Sequence, residues 1–415
     1  MIGALPTPAS DALLDAAIEI AKSHRLPTLA EPQRLAPHLA ALGEAYNDPA
    51  LRGLGPGKHL AARLGFYFAR DVPKVAGAAR EAIALGRIAL AKGAPLRVLD
   101  LGAGLGASHR GLARALDLAG QSGSIDVLAL DADEAALDLA RELGKRVPRE
   151  GKVAIELRTA ARPMDQVVSH AARARFDVIL LGNVLTELDL DRAPDERVAR
   201  HGALISGLLD NLLAKDGTLV IVEPALRPRS RHLQRVREAL IAAGDAAIVA
   251  PCVHRGACPL LARDADWCHE DLEVDLPERL KPVAKAAGLR WQGLTFSYLI
   301  VGASGPTLGD LSRTGGRLER VVSAPLVSKG KRELVVCGDP LRDAPDPAYG
   351  PHGARVGRLD REASDANAPI EGAARGDLLR LAAALDDKGR VRAGDVVEAI
   401  AIEAIEALRE AGSVG

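Results

Sequence analysis

Cysteine is the residue type with the clearest chemical potential in this sequence. The chain has 415 residues and four cysteines, of which Cys252, Cys258 and Cys268 fall within seventeen positions, while Cys337 ends the run ELVVC. Four thiolates complete the ligand shell of a structural zinc ion or of a [4Fe-4S] cluster. The spacing C-x5-C-x9-C favours the cluster, because zinc ribbons usually present paired C-x2-C turns, and zinc is the alternative.

Two other interpretations of the cysteines stay open. His254 and His269 lie close enough in sequence to join a mixed Cys/His zinc shell, although a role beside the ligands is the simpler expectation. The cysteines can also be buried thiols that pack like small apolar side chains. Pro, Gly, His and Arg flank Cys252 and Cys258, which argues against ordinary core packing.

A glycine-rich turn is the second feature with chemical potential. The run Asp100-Leu-Gly102-Ala-Gly104-Leu-Gly106 follows the apolar stretch RVL, which indicates a strand that turns into a helix. Glycines there let the backbone approach a ligand and leave the N–H groups of the helix pointing at it. The spacing departs from the dinucleotide fingerprint G-x-G-x-x-G. It resembles motif I of the class I S-adenosylmethionine methyltransferases.

Acidic and amide side chains follow the next strands. Asp131 ends the run VLALD, where its carboxylate can accept hydrogen bonds from both hydroxyls of a ribose; Asp133 is the alternative for this role. The simpler interpretation is that Asp131 caps the helix that begins near Glu134. In FDVILLGNVLTEL, Asn183 and Glu187 are weak candidates for a catalytic role, and a buried polar pair at the turn is an equal alternative.

The elements that must position these residues alternate between short apolar runs and longer polar or Ala-rich stretches. Five such runs between residues 96 and 223 predict parallel strands with helices on both faces, and the runs at 294–301 and 333–337 can complete the sheet. The expected organisation is a helical region at 1–95, a sheet domain at 96–340 with a Cys-rich insertion at about 224–290, a linker at 341–372 and helices at 373–415.

Charge and composition narrow the partners. Lys and Arg number 54 against 55 Asp and Glu, so any RNA contact must be a local basic patch. Aromatic residues make up 2% of the chain, which excludes a broad stacking platform for single-stranded nucleic acid. A candidate patch follows the fifth predicted strand, and a solvated helix face is an equal alternative for the same residues. Its members are Arg227, Arg229, Arg231, His232, Arg235 and Arg237.

The sequence lacks the signals of membrane insertion or secretion. Charged residues interrupt every long apolar run, so no membrane span is expected. The N-terminal segment has no basic stretch followed by an apolar one, so we do not expect a secretory signal. These features predict a cytoplasmic, reducing location, where cysteines serve metal binding more often than disulfides.

The order of several segments resembles the Rsm-type family of methyltransferase-like proteins associated with the mitochondrial small ribosomal subunit, which also has bacterial members. The resemblance extends from about residue 55 to 340 and rests on VLDLGAGLGA, GTLVIVEP, APCVHRGACPL, DWCHE, FSYLI and LVVCG. It implies a class I methyltransferase fold, S-adenosylmethionine bound at the glycine turn, and a [4Fe-4S] cluster on the four cysteines. It also implies a role with the small ribosomal subunit or its rRNA.

Three functions are compatible with these features. The first is a factor that binds the cofactor and assists small-subunit assembly or translation. The second is an active RNA methyltransferase, and the third is a small-molecule methyltransferase with a structural zinc site. The sequence has neither an N-P-P-Y motif nor a spare cysteine nucleophile, so it favours the first function and names no catalytic base.

Overall fold

The chain folds around two β-sheets. The computed structural model describes residues 5–47, 57–167, 171, 174–244, 246–291, 293–313, 317–338, 354–382 and 388–412. The strands of the first sheet are β1 Leu96–Leu101, β2 Gly123–Asp131, β3 Val153–Ala161, β4 Phe176–Gly182, β5 Leu213–Glu223, β6 Ala247–Ala250, β7 Glu270–Leu272 and β8 Leu294–Gly302. Those of the second are β9 Arg317–Val321, β10 Leu326–Ser328, β11 Lys331–Gly338, β12 Ala354–Leu359, β13 Leu378–Leu381 and β14 Val397–Ile400.

Helices lie before, between and after these strands. A helical turn at Leu60–Ala62 and a π-helical segment at Arg63–Tyr67 lead into the third helix. The helices are α1 Asp11–Ser23, α2 Pro32–Asn47, α3 Phe68–Ala84, α4 Ala107–Leu118, α5 Glu134–Arg146, α6 Pro194–Asn211, α7 Arg227–Ala243, α8 Lys281–Ala286, α9 Pro369–Gly372 and α10 Ile405–Gly412. In the described part of the chain, no helix combines the length and apolar character that crossing a bilayer requires.

The first sheet has the strand order β3-β2-β1-β4-β5-β8-β6, and β7 pairs with β8. Strands β1 to β5 are parallel, whereas β8 runs antiparallel between β5 and β6. This order confirms the class I methyltransferase fold. The central strands carry nearly continuous apolar runs because helices cover both faces of the sheet, so Val98, Leu99, Val178 and Ile179 are all fully buried.

The long helix α3 explains how the N-terminal region joins the sheet. Almost every residue of α3 is buried, since the helix packs against α4 and also contacts β5 and β8. Its small residues permit this close packing: a side chain at Gly77 would meet Leu272 at 2.9 Å and Phe296 at 3.0 Å. The segment before β1 is therefore part of the wall around the sheet.

The second sheet was not expected. It has the order β10-β11-β9-β13-β14, with β12 beside β11. The run 333–337 lies in β11 of this sheet, so the prediction that it completes the first sheet is wrong, whereas the run 294–301 does lie in the first sheet as β8. Of the expected linker, residues 341–353 lie outside the described residues, and β12 and α9 form within the remainder.

The prediction of helices alone at 373–415 is wrong in part. Residues Leu378–Leu381 and Val397–Ile400 are paired strands, and only Ile405–Gly412 forms a helix of more than one turn in the described part of this region. Apolar residues at such short spacing fit the helical period as well as the strand period, so the sequence pattern does not decide between them. Strand pairing decides it, because β13 pairs with both β9 and β14.

A buried ionic network joins the two sheets. Arg320 of β9 donates to Glu81 of α3 at 2.7 Å, to Glu270 of β7 at 2.9 Å and to the Tyr298 hydroxyl of β8 at 2.8 Å. Tyr298 in turn donates to Glu81 at 2.6 Å. All four side chains are buried, so the charges satisfy one another out of water.

Candidate functional site

The glycine turn connects β1 to α4 in a backbone conformation that requires glycine. Gly102, Gly104 and Gly106 have φ angles of 65°, 52° and 87°. A side chain at Gly102 would meet Val184 at 2.6 Å, and one at Gly106 would collide with the ring of His109. At Gly104 the nearest atom would be the Arg63 guanidinium at 3.0 Å, so Gly104 is the glycine of the turn that borders open space.

Asp100 lies beneath the turn and holds it to the helix. Its carboxylate is fully buried and accepts hydrogen bonds from the backbone N–H of His109 at 3.3 Å and from His109 Nδ1 at 2.8 Å. The oxygen of Asp100 that accepts these bonds orients the first turn of α4, whereas the other carboxylate oxygen is shielded from solvent without a hydrogen-bond partner among the described residues. The contact of Asp100 with a cofactor stays a prediction.

Asp131 faces the glycine turn from the end of β2. One carboxylate oxygen accepts from Gly104 N at 2.7 Å and the other from Asp133 N at 2.8 Å. Burial raises the pKa of Asp131, and the two backbone hydrogen bonds oppose that rise. The helix cap is Asp133, which accepts from Ala136 N at 3.1 Å and pairs with Arg63 at 2.6 Å. The interpretation of Asp131 as the cap is thus wrong.

Asn183 and Glu187 lie where β4 leaves the sheet. Asn183 has a φ of 60°, which is unusual for a residue other than glycine, and its N–H donates to Val222 O at 2.7 Å. Its amide oxygen is shielded from solvent without a hydrogen-bond partner among the described residues. Glu187 accepts from the Tyr46 hydroxyl at 2.9 Å, and burial raises the pKa of Glu187.

The N-terminal helices supply side chains to this edge that sequence reasoning did not single out. Lys74 and Arg70 pair with Asp71, at 2.9 Å and 2.7 Å. Burial acts to raise the pKa of Asp71, but these two cations lower it overall. These positions match no catalytic spacing, so the sequence pattern did not mark them.

Glu223 ends β5 behind this group of charges. It is buried and accepts from the backbone N–H groups of Leu185 at 2.8 Å and Thr186 at 3.1 Å. Burial raises its pKa to about 8, with a further contribution from the negative charge of Glu187. Its contacts show that Glu223 fixes the turn that carries Glu187.

The four predicted metal ligands line one cavity. Cys252, Cys258 and Cys268 come from the segment between β6 and β8, and Cys337 comes from β11 of the second sheet. The cavity measures about 50 Å³, several times the ~10–15 Å³ that one water molecule needs on this measure. The expected Cys-rich insertion at about 224–290 contains helix α7 and strand β6, which are elements of the first sheet and its helical layer. The segment that carries the cysteines therefore begins at Pro251 rather than at residue 224.

The environment of the thiols fits a cationic group. Burial, followed by the negative charge of Cys252, raises the pKa of Cys258 to about 11 and of Cys268 to about 12. Burial, followed by the negative charges of the other three cysteines, raises the pKa of Cys337 well above its ordinary value. Free thiols here would stay protonated at neutral pH, and a bound metal centre would displace those protons.

The geometry of the side chains does not by itself identify a metal centre. Among the described residues, no group of three or more His, Cys, Asp or Glu side chains is placed to hold a metal ion. The metal centre on the four cysteines therefore stays a prediction.

Part of the predicted basic patch supports the cysteine segment instead of facing solvent. Arg237 is buried and donates to the carbonyls of His254 at 2.7 Å and Gly256 at 3.0 Å. Arg231 donates to the carbonyls of Leu260 at 3.1 Å and Asp266 at 2.8 Å. These two arginines therefore direct donors to the carbonyls of the loop, and the binding of RNA phosphates by the run of basic residues stays a prediction.

Both histidines of the segment also line the cavity. His254 Nε2 lies 3.4 Å from the sulfur of Cys337, which places it in contact with a predicted ligand. Gln234 Nε2 lies 3.4 Å from the sulfur of Cys258. Polar groups thus surround the thiols in the way expected of residues that support a metal centre.

A family model matches the part of the chain that contains the glycine turn and the four cysteines. The model is described as "Mitochondrial small ribosomal subunit Rsm22", and it matches residues 72–343. The chain belongs to the Rsm22 family. Both the turn and all four cysteines of this Rsm22-family chain fall inside the match. No curated protein matches the chain.

Solved structures similar to this chain include several methyltransferases. The plantazolicin methyltransferase BpumL in complex with SAH has 11% identity and a TM-score of 0.33, covering 70% of this chain and 100% of its own. The 16S rRNA methylase ArmA has 13% identity and a TM-score of 0.30, covering 57% and 85%. The Methanococcus jannaschii fibrillarin pre-rRNA processing protein has 14% identity and a TM-score of 0.28, covering 51% and 67%.

Proposed function

We propose that this Rsm22-family protein acts with the small ribosomal subunit or its rRNA, binds S-adenosylmethionine at the glycine turn and carries a [4Fe-4S] cluster on Cys252, Cys258, Cys268 and Cys337. The observation that carries the proposal is the family match, which covers the turn, Asp131 and the four cysteines together. The geometry of each site supports its part.

The cofactor site is supported by two successive strand ends. The open side of Gly104 leaves room for a ligand beside the N-terminus of α4, where backbone N–H groups favour a carboxylate. Asp131 can accept hydrogen bonds from ribose hydroxyls with the lone pairs that Gly104 and Asp133 leave free. S-Adenosylmethionine supplies an electrophilic methyl group when it is bound.

The contacts of the residues at the end of β4 favour the role as an assembly or translation factor. Glu187 accepts a hydrogen bond from Tyr46, so its carboxylate is not an available base at the end of β4. The four cysteines line the thiol cavity, so no thiol is an available nucleophile there. One observation favours methyl transfer as a second candidate function. The shielded, unpartnered amide oxygen of Asn183 can accept a hydrogen bond from the amino group of a nucleobase.

The cofactor site can be tested at Gly104. A valine there would put a branched side chain on the open side of the turn at a φ of 52°, so we expect Gly104→Val to weaken the affinity for S-adenosylmethionine by about tenfold or more. Isothermal titration calorimetry measures this change. Gly207→Val is the matched control, because Gly207 lies in α6 with open space around it. Equal affinities in the two variants would remove the turn from the site.

The ribosomal role can be tested in cells. We expect the protein to sediment with precursors of the small subunit in a sucrose gradient, and we expect its deletion to reduce the number of mature subunits. Mapping of rRNA methyl groups in the deletion strain separates the two candidates: intact methylation supports the assembly role, and the loss of one specific methyl group supports the enzyme. A protein that never sediments with subunits or their precursors would contradict both.

A further inference from the structure

A second cavity, larger than the thiol cavity, lies beside the first sheet. It has a volume of about 460 Å³ and is bounded by α4, α5, the strand β3 and the loop at 147–151 that precedes β3. That loop enters β3 at the amino end of the parallel strands, whereas the glycine turn lies at their carboxyl end. The cysteines do not line this cavity.

The cavity is strongly basic although the whole chain is nearly neutral. Five basic side chains and two carboxylates line it, an excess of three positive charges against a net charge of −1 for all 415 residues. The basic residues are Arg110, Arg114, Arg141, Lys145 and Arg149, and the acidic ones are Asp117 and Glu150. Such a local excess attracts anions.

The carboxylates in the cavity do not satisfy its guanidinium groups. Asp117 accepts from the backbone N–H groups of Lys152 at 2.6 Å and Val153 at 3.0 Å, and Glu150 accepts from the Ser10 hydroxyl. Within the described residues neither carboxylate forms a close ion pair with Arg110 or Arg114, although the negative charge of Glu150 favours the charged form of both arginines. The acidic groups are therefore committed to the loop and to the N-terminal segment.

Arg110 is the residue that most needs an external partner. It lies in the first turn of α4, where the helix dipole disfavours a cation. Its Nε is shielded from solvent and has no hydrogen-bond partner in the described part of the chain. Burial lowers the pKa of Arg110 to about 10. A buried donor in this position is costly unless an acceptor binds to it.

Arg114 lies one turn further along α4, where one nitrogen of its guanidinium group is hydrogen-bonded and another is not. Its Nη2 donates to the Thr7 hydroxyl at 2.6 Å and to Pro8 O at 2.7 Å. Its Nη1 is shielded and has no partner among the described residues. The guanidinium groups of Arg110 and Arg114 thus lie on one face of α4 and line the same cavity, and two such groups suit the several acceptor oxygens of a phosphate.

We propose that this cavity binds a phosphate monoester of about mononucleotide size, with Arg110 and Arg114 on the phosphate. The volume lies in the range of small-molecule sites. Ile155 and Leu157 of β3, with Val147 of the loop, give one wall the apolar surface that a base can cover. A free nucleotide and the 5′ end of an RNA carry the same phosphate chemistry. Neither the glycines of the turn nor the four cysteines line this cavity; His109, which binds Asp100, is the residue that borders both the cavity and the turn.

Calorimetry on the full-length protein tests the proposal. Uridine monophosphate is the probe, because it lacks the adenosine that the glycine turn would bind. We expect it to bind to the unmodified protein, uridine not to bind, and Arg110→Gln to weaken the binding at least about tenfold, the loss of one charged contact. Arg192→Gln removes an exposed arginine elsewhere and should change nothing. Arg114→Gln gives a second, independent test if Arg110→Gln does not fold.

Two further binding measurements distinguish a free nucleotide from the 5′ end of an RNA as the ligand. An RNA oligonucleotide with a 5′-phosphate that binds more tightly than its unphosphorylated form, and only when Arg110 is present, supports the site with an RNA end as its ligand. Binding of the phosphorylated probes that is unaffected by both Arg110→Gln and Arg114→Gln, or equal binding of uridine, overturns the proposal. Affinity for S-adenosylmethionine should be unchanged in both variants, so failure here is distinguishable from failure at the glycine turn.

Discussion

Replacing Cys337 with serine is expected to remove the metal centre and to loosen the second sheet from the first. Cys337 is the only one of the four predicted ligands that comes from the second sheet, and it lies in β11 beside β9. Without its thiolate the three remaining cysteines cannot complete a four-ligand shell. We expect anaerobically purified protein to be brown, with broad absorption near ~400 nm and about four irons per chain, and Cys337→Ser to lose both properties.

The other cysteines and the histidines provide the controls for this experiment. Cys252→Ser, Cys258→Ser and Cys268→Ser should lose iron as Cys337→Ser does, because each removes one ligand of the same group. His269→Gln should retain iron, since four thiolates suffice without an imidazole. Colourless protein that contains one stoichiometric zinc, and that loses it in His269→Gln, would contradict the cluster and favour a mixed zinc site.

Arg320→Met is expected to give a large loss of stability although it removes no cysteine; Arg320 lines the thiol cavity and is the β9 partner of Cys337. Arg320 is the partner of two buried carboxylates, Glu81 and Glu270, at 2.7 Å and 2.9 Å. Burial opposes the charge of Arg320, but these carboxylates raise its pKa well above the ordinary value. Removing the guanidinium leaves the carboxylates buried without a cation, which costs about 3–5 kcal/mol of unfolding free energy.

Urea unfolding followed by circular dichroism measures this loss. Arg158→Met is the matched control: its pair with Asp126 is exposed, so the expected change is only about 0–1 kcal/mol. Glu81→Gln combined with Arg320→Met should recover part of the stability, because it removes one of the unpaired charges. An Arg320→Met protein as stable as the Arg158→Met control would show that the network does not hold the sheets together.

The sequence predicted the first sheet well because the patterns that indicate its strands are local. The apolar runs of β1 to β5 are long and lie between helices, so periodicity alone defines them. The placement of Gly104 opposite Asp131 followed from the rule that parallel strands end at one edge of a sheet. The cysteines were recognised by spacing, and the fold brings all four to one cavity.

The second sheet could not be predicted in the same way because its strands are short and pair over long distances. Leu378 pairs with Arg320 across nearly sixty positions, and no local pattern encodes that register. Arg63, Lys74 and Tyr46 were missed for a related reason: they reach the edge of the sheet from helices that precede it. The arginines after β5 carry no mark that separates Arg237, which is buried, from an exposed member of a basic patch.

The contribution of both sheets to one cavity also fixes an order of events during synthesis. Cys337 is made 85 positions after Cys252, so at ~5–20 residues per second the first thiols wait roughly 4–17 s for the fourth. The glycine turn, Asp131 and Glu187 are all made before Cys252. A nascent chain can therefore assemble the edge of the first sheet early, whereas it cannot close the thiol cavity until β11 has emerged and paired with β9.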